Sequence, residues 1–125
     1  MHVLRNVVDA VRVGGLVLDL QVIRPNPVVE SDGEIVCEVD GEPLFERADA
    51  ATAAIDDLVT HGRLVEEAVD DHEVRTHFGD GAELLDHFAD RLRNLPPAAL
   101  PGLSSLSQPC AVRELCRLRR LRVAT

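Results

Sequence analysis

The chain has no tryptophan, no tyrosine and no lysine, and only three phenylalanines among its 125 residues. Without lysine it cannot form a Schiff base through an ε-amine. Three aromatics are too few for a platform on which successive bases stack, which argues against a single-stranded nucleic-acid binder. The core must therefore come from Val, Leu, Ile and Ala. The three cysteines form no C-x-x-C pair, and an odd number argues against a disulfide framework. No apolar run approaches the roughly 18 residues that a membrane span needs, and no charged start leads into a secretory apolar segment. These absences predict a cytoplasmic protein with reduced thiols and no membrane partner. Arginine supplies every basic side chain beside abundant Ala and Val, the mark of a GC-rich bacterial coding sequence.

What is present is ordinary for a folded protein: 46% hydrophobic and 28% charged residues. The length predicts a single domain over 1–125, able to bury somewhat under ~70% of its unfolded surface. The net charge of −9 is unevenly spread: residues 1–110 hold 21 acidic and 8 basic side chains, residues 111–125 one Glu and five Arg. An acidic body repels nucleic acid and anionic membranes. The arginines of the tail are expected to pair with the body's own carboxylates.

Val3, Leu4, Val7, Val8 and Val11 make one apolar helix face over 2–12, ended by Gly14-Gly15. Leu16–Ile23 is almost continuously apolar, which predicts a strand covered on both faces. Pro25 and Pro27 are expected to stop it. Residues 34–46 read as an inserted hairpin turning at Asp40-Gly41, with Pro43 marking an edge strand. Ala50, Ala51, Ala54, Ile55, Leu58 and Val59 form the stripe of a helix over 49–61, and 63–78 reads as extended chain. Asp80 and Glu83 resemble a capping box opening a helix with Leu84, Leu85, Phe88, Ala89 and Leu92 on its face. A turn-rich connector follows. Residues 112–123 fit a helix by their three-residue leucine spacing and a strand by their composition, and periodicity leaves both open.

The polar candidates are few. Asp19 lies inside an apolar strand, and functional acids often sit near strand ends in α/β folds. His72 and His77 flank an acidic stretch with Asp70 and Asp71. Carboxylate and imidazole can bind zinc or iron, but side chains five apart on a strand face opposite ways and cannot share a metal. Cys37 reads as a core residue, and Cys110 and Cys116 have no redox spacing. No catalytic, cofactor-binding or metal-ligating residue is assigned. Gly14-Gly15 runs helix–glycine–strand, the reverse of a phosphate loop.

That order is informative in another way. The stretch 4–20, "LRNVVDAVRVGGLVLDL", resembles the helix and fifth strand of class I S-adenosylmethionine-dependent methyltransferases. Ala10, Arg12, Gly14, Gly15, Leu16 and Leu18 fit the family pattern, with Val13 where proline is usual. His2-Val3 is similar to the end of the segment that follows the family's fourth strand. The tail 111–123 resembles the last strand of some bacterial members, which favours a strand there.

The resemblance implies a fold: an α/β or α+β-like fragment with a small mixed sheet and packed helices, similar to the C-terminal half of a Rossmann-like methyltransferase, with the hairpin inserted. The family's glycine-rich cofactor loop belongs to its other half and has no counterpart here, so no cofactor is expected on the isolated chain. Three readings of function follow. The chain works by association with itself or a partner, without catalysis of its own. Alternatively, a partner polypeptide supplies the N-terminal half of a split enzyme. Or the chain is a small-ligand-binding α+β domain. The apolar strand 16–23, deprived of the family's fourth strand as neighbour, predicts a homodimer.

Overall fold

The computed structural model describes residues 10–124, without the side chains of 91–93. The helix expected over 2–12 lies almost wholly outside the described residues. The elements are β1 (Leu16–Ser31), β2 (Glu34–Glu38), α1 (Glu42–Thr60), β3 (Leu64–Phe78), α2 (Gly81–His87), α3 (Leu100–Ser105) and β4 (Cys110–Val123), with 3₁₀ turns at Ala89–Asn94 and Pro97–Ala99. The four strands are ordered β2-β1-β4-β3. The ambiguous tail is thus a strand.

The sheet is antiparallel rather than mixed, and the class is α+β. β1 and β2 pair antiparallel from Val28↔Glu38 to Ser31↔Glu34. The start of β1 meets the end of β4, where Val123 N–H donates to the Gly15 carbonyl at 2.9 Å. The end of β4 likewise meets the start of β3, with Ala124 N–H donating to the Arg63 carbonyl at 3.0 Å.

Two compact units divide the chain: Met1–Ile23, Leu44–His72 and Cys116–Thr125 in the first, Arg24–Pro43 and Glu73–Leu115 in the second. Each has its own core. In the first unit, Ile55 of α1 packs with Val17, Leu64, Leu121 and Val123 from the strands, flanked by Leu58 and Val59. This is the expected helical stripe meeting one sheet face. In the second unit, Leu84, Phe88, Leu95 and Leu103 pack on Val29, Phe78, Cys110 and Val112.

Three local expectations are corrected. β1 does not stop at its prolines but runs to Ser31. A proline cannot donate, yet it still accepts, and the Pro27 carbonyl takes the Val39 N–H at 2.8 Å. The hairpin turns at Asp32-Gly33, not Asp40-Gly41. Asp32 and Gly33 carry φ of 52° and 76°, the paired positive values of a tight two-residue turn. Asp40 instead opens α1, its Oδ1 accepting the Glu42 N–H at 3.1 Å. Pro43 therefore sits in the first turn of a helix, where its missing N–H has no role, and not on an edge strand.

The capping residues of α2 act as their spacing predicts. Asp80 Oδ1 accepts the Glu83 N–H at 2.9 Å, and Glu83 Oε2 reaches back to the Gly79 N–H at 2.8 Å. The helix ends at His87, five residues short of the expected stripe, and gives way to the 3₁₀ turn.

Candidate functional site

The strand expected to be covered on both faces is covered on one. Val17 is 8% exposed, in the core under α1, while Leu16, Leu18 and Leu20 are 43%, 60% and 58% exposed. Alternation along β1 puts these three leucines in one row. Val65 and Val69, on β3, are also about half-exposed. Continuous apolarity thus signals not a doubly covered strand but one whose outer row lies bare. Among the described residues, β2 pairs with β1 only over Val28–Ser31. The side of Leu16–Ile23 away from β4 has no described strand beside it.

The arginines of β4 meet carboxylates throughout. In the first unit, Arg117 forks onto Asp71 at 2.8 and 2.9 Å. Arg120 and Arg122 share Glu67 at 3.1 and 3.0 Å. Arg119, its side chain 8% exposed, bridges Asp56 of α1 and Glu66 of β3. In the second unit Glu30, Arg75, Glu73 and Arg113 close a four-membered ring of alternating charge, with contacts of 2.8 to 3.4 Å. The tail's five positive charges are thereby matched within the protein.

These contacts shift the acids. Hydrogen bonds from Arg75, Arg122 and Arg117 hold the carboxyls of Glu30, Glu67 and Asp71 below the ordinary carboxylate range, against a smaller opposing effect of desolvation. A carboxyl whose folded value lies below its unfolded value stabilises the fold fully above the unfolded value and loses that contribution as pH falls through the folded one. The thermal midpoint is therefore expected to hold nearly level from pH 7 to about pH 5 and to decline below about pH 4. Circular-dichroism melts across this range check it. A midpoint that rises on acidification would contradict the pairing.

The polar residues picked out in the sequence do not assemble into a reactive centre. Asp19, half-buried, accepts from Gln21 Nε2 at 2.7 Å through Oδ1, and its Oδ2 is buried without a hydrogen-bond partner. His72, in the first unit, has Nδ1 3.2 Å from Asp70 Oδ2, within ion-pair reach but out of line for a hydrogen bond. His77, in the second, lines a recess of about 370 Å³ with Glu30, Arg75 and Cys110. Burial, followed by the carboxylates of Asp80 and Glu83, pushes the Cys110 thiol up, which disfavours a nucleophilic thiolate. Burial likewise raises Cys37. Among the described residues, no group of three or more His, Cys, Asp or Glu is placed to hold a metal ion. No helix among them is long and apolar enough to cross a membrane.

Gly14 and Gly15 lead into a strand. Gly81, in the first turn of α2, has its open side against the Leu103 carbonyl, which leaves no room for a bound group. The leucine row was visible in the sequence as apolar residues, but its exposure carries no signal there.

No protein-family model, curated protein or solved structure matches the chain. Among the described residues, the fold and surface define a small α+β arrangement with an antiparallel sheet, a half-exposed leucine row and no strand beside the outer side of Leu16–Ile23.

Proposed function

We propose that the chain is a methyltransferase-like C-terminal-half domain that works by association, without catalysis of its own, and that its occupant at β1 is a second copy of itself. The observation that carries this reading is the exposure of Leu18 and Leu20, 60% and 58%, on a strand whose free side has no described neighbour. An apolar row on a strand side without a described partner strand favours strand addition, in which main-chain hydrogen bonds give affinity and side chains give specificity. Charge does not oppose a second copy there. The segment 16–23 carries one charged residue, Asp19. The matched arginines of β4 support the absence of a nucleic-acid partner, and the free cysteines suit a reducing cytoplasm.

The test is the mass in solution. The chain is expected to scatter as a dimer at high micromolar concentration. Leu20→Glu is expected to shift it to monomer by tenfold or more in dissociation constant, with the far-ultraviolet spectrum unchanged because the side chain is solvent-facing. A monomeric parent chain overturns the reading.

A second reading has its own support. β1 lies beside β4, an arrangement compatible with the family's fifth strand lying beside its last. On that reading the free side of β1 accepts the fourth strand of a partner polypeptide, which also brings the cofactor loop. Co-purification with such a partner, and S-adenosylmethionine binding by the pair alone, distinguishes it.

A further inference from the structure

We propose that two copies pair antiparallel along β1 with Leu18 opposite its own counterpart on the two-fold axis; this deepens, and rests on, the self-association reading above. The backbone sets which residues can do so. The Gly15 carbonyl accepts from Val123 of β4 at 2.9 Å. In an antiparallel ladder the N–H and C=O of one residue point to the same side, and the side alternates along the strand. At the start of β1, Gly15 and the odd positions that follow it as far as Asp19 thus turn their backbone groups to β4, and Leu16, Leu18 and Leu20 turn theirs to the other side.

The side chains then choose the register. With Leu18 on the axis, Leu16 meets the partner's Leu20 and Leu20 meets the partner's Leu16, so every exposed leucine opposes a leucine. On the opposite face Val17 meets the partner's Asp19, and no like charges confront each other. Moving the axis one residue to Asp19 sets two carboxylates directly opposite, which is destabilising. Moving it to Leu20 leaves Leu16 with no leucine to meet. The self-complementary arrangement doubles three half-exposed leucines into a six-residue apolar row, as a two-fold interface requires.

Cysteine scanning tests the register. A hydrogen-bonded antiparallel pair sets Cα atoms about 5.5 Å apart, inside the disulfide range. Two copies of Leu20 would stand four residues out of register, roughly 14 Å apart along the strands. Single variants Leu16→Cys, Leu18→Cys and Leu20→Cys are made in a Cys37→Ala background, since Cys110 and Cys116 are buried. Val13→Cys, at a site 67% exposed, reports linkage by collision. Under mild oxidation Leu18→Cys is expected to link at least tenfold faster than the other three, and Leu16→Cys mixed with Leu20→Cys is expected to link as a heterodimer. Fastest linkage at Leu20→Cys, in a protein of dimeric mass, overturns the register and leaves the association reading standing. Linkage no faster at Leu18→Cys than at Val13→Cys overturns the proposal. A monomeric mass overturns both readings. Circular dichroism of each reduced variant confirms that the fold is kept.

Discussion

Gly81→Ala is expected to destabilise the second unit by about 3 kcal/mol or more, the upper part of the range for overpacking a filled site. Gly81 lies buried in the first turn of α2, and its N–H donates to the Leu106 carbonyl at 2.9 Å. A methyl group at this position would overlap the Leu103 carbonyl oxygen and stand 3.0 Å from Leu106 Cβ. The obstacle is backbone, held by the packing of α2 on α3, so it cannot rotate away as a side chain would. The thermal midpoint should fall by on the order of 10 °C. Gly102→Ala supplies the control. Gly102 lies within α3 with nothing within 4 Å of an added Cβ. There the gain in helix propensity should stabilise by up to about 1 kcal/mol. Equal midpoints for the two variants would mean that α2 and α3 do not approach as closely as the structure has them.

The second large effect is an asymmetry around Arg119. Its guanidinium is almost wholly buried, with Nε donating to Glu66 Oε2 at 2.7 Å and Nη2 2.9 Å from Asp56 Oδ1. The two acids are less enclosed, at 35% and 59% side-chain exposure. Removing both, as Asp56→Asn with Glu66→Gln, leaves a buried charge without its counter-ions and is expected to destabilise by about 3–5 kcal/mol. Arg119→Met removes the charge itself and leaves two acids that water can reach. Its loss should be less than half as large, because burying an apolar chain of similar length is nearly neutral. Urea unfolding separates the two through the midpoint, provided the slope is unchanged. A larger loss for Arg119→Met would place the energetic weight on the acids rather than on the enclosed cation.

The strand edge gains meaning from these charges. An acidic protein of net charge −9 repels its own copies at long range. The arginines of β4 are matched by carboxylates, and the leucine row of β1 carries no charge. Association at β1 is therefore expected to depend weakly on salt, whereas the ion-paired strands contribute less stability as screening increases.

Short-range chemistry was readable in one dimension. Asp80 and Glu83 declare a helix start because the groups they satisfy lie within four residues. The apolar stripe of α1 follows from 3.6-residue periodicity alone, which required no knowledge of what the stripe would meet. Even the type of hairpin turn was legible, as an Asp-Gly pair. Which pair turned was not. Asp32-Gly33 and Asp40-Gly41 are chemically alike, and the choice rests on strand pairing that fits Val28 against Glu38, with Pro27 accepting from Val39. The same limit explains Leu18. An apolar residue on a strand has the same sequence signature whether a helix covers it or water does, and coverage depends on elements far along the chain. Arg119 and Glu66 are 53 residues apart, so the matching of the basic tail was expected from overall charge but had no partners until the strands were ordered β1-β4-β3. Local capping and periodicity are settled by neighbours in the chain, whereas burial, register and the open edge are settled by which distant segments the sheet brings side by side.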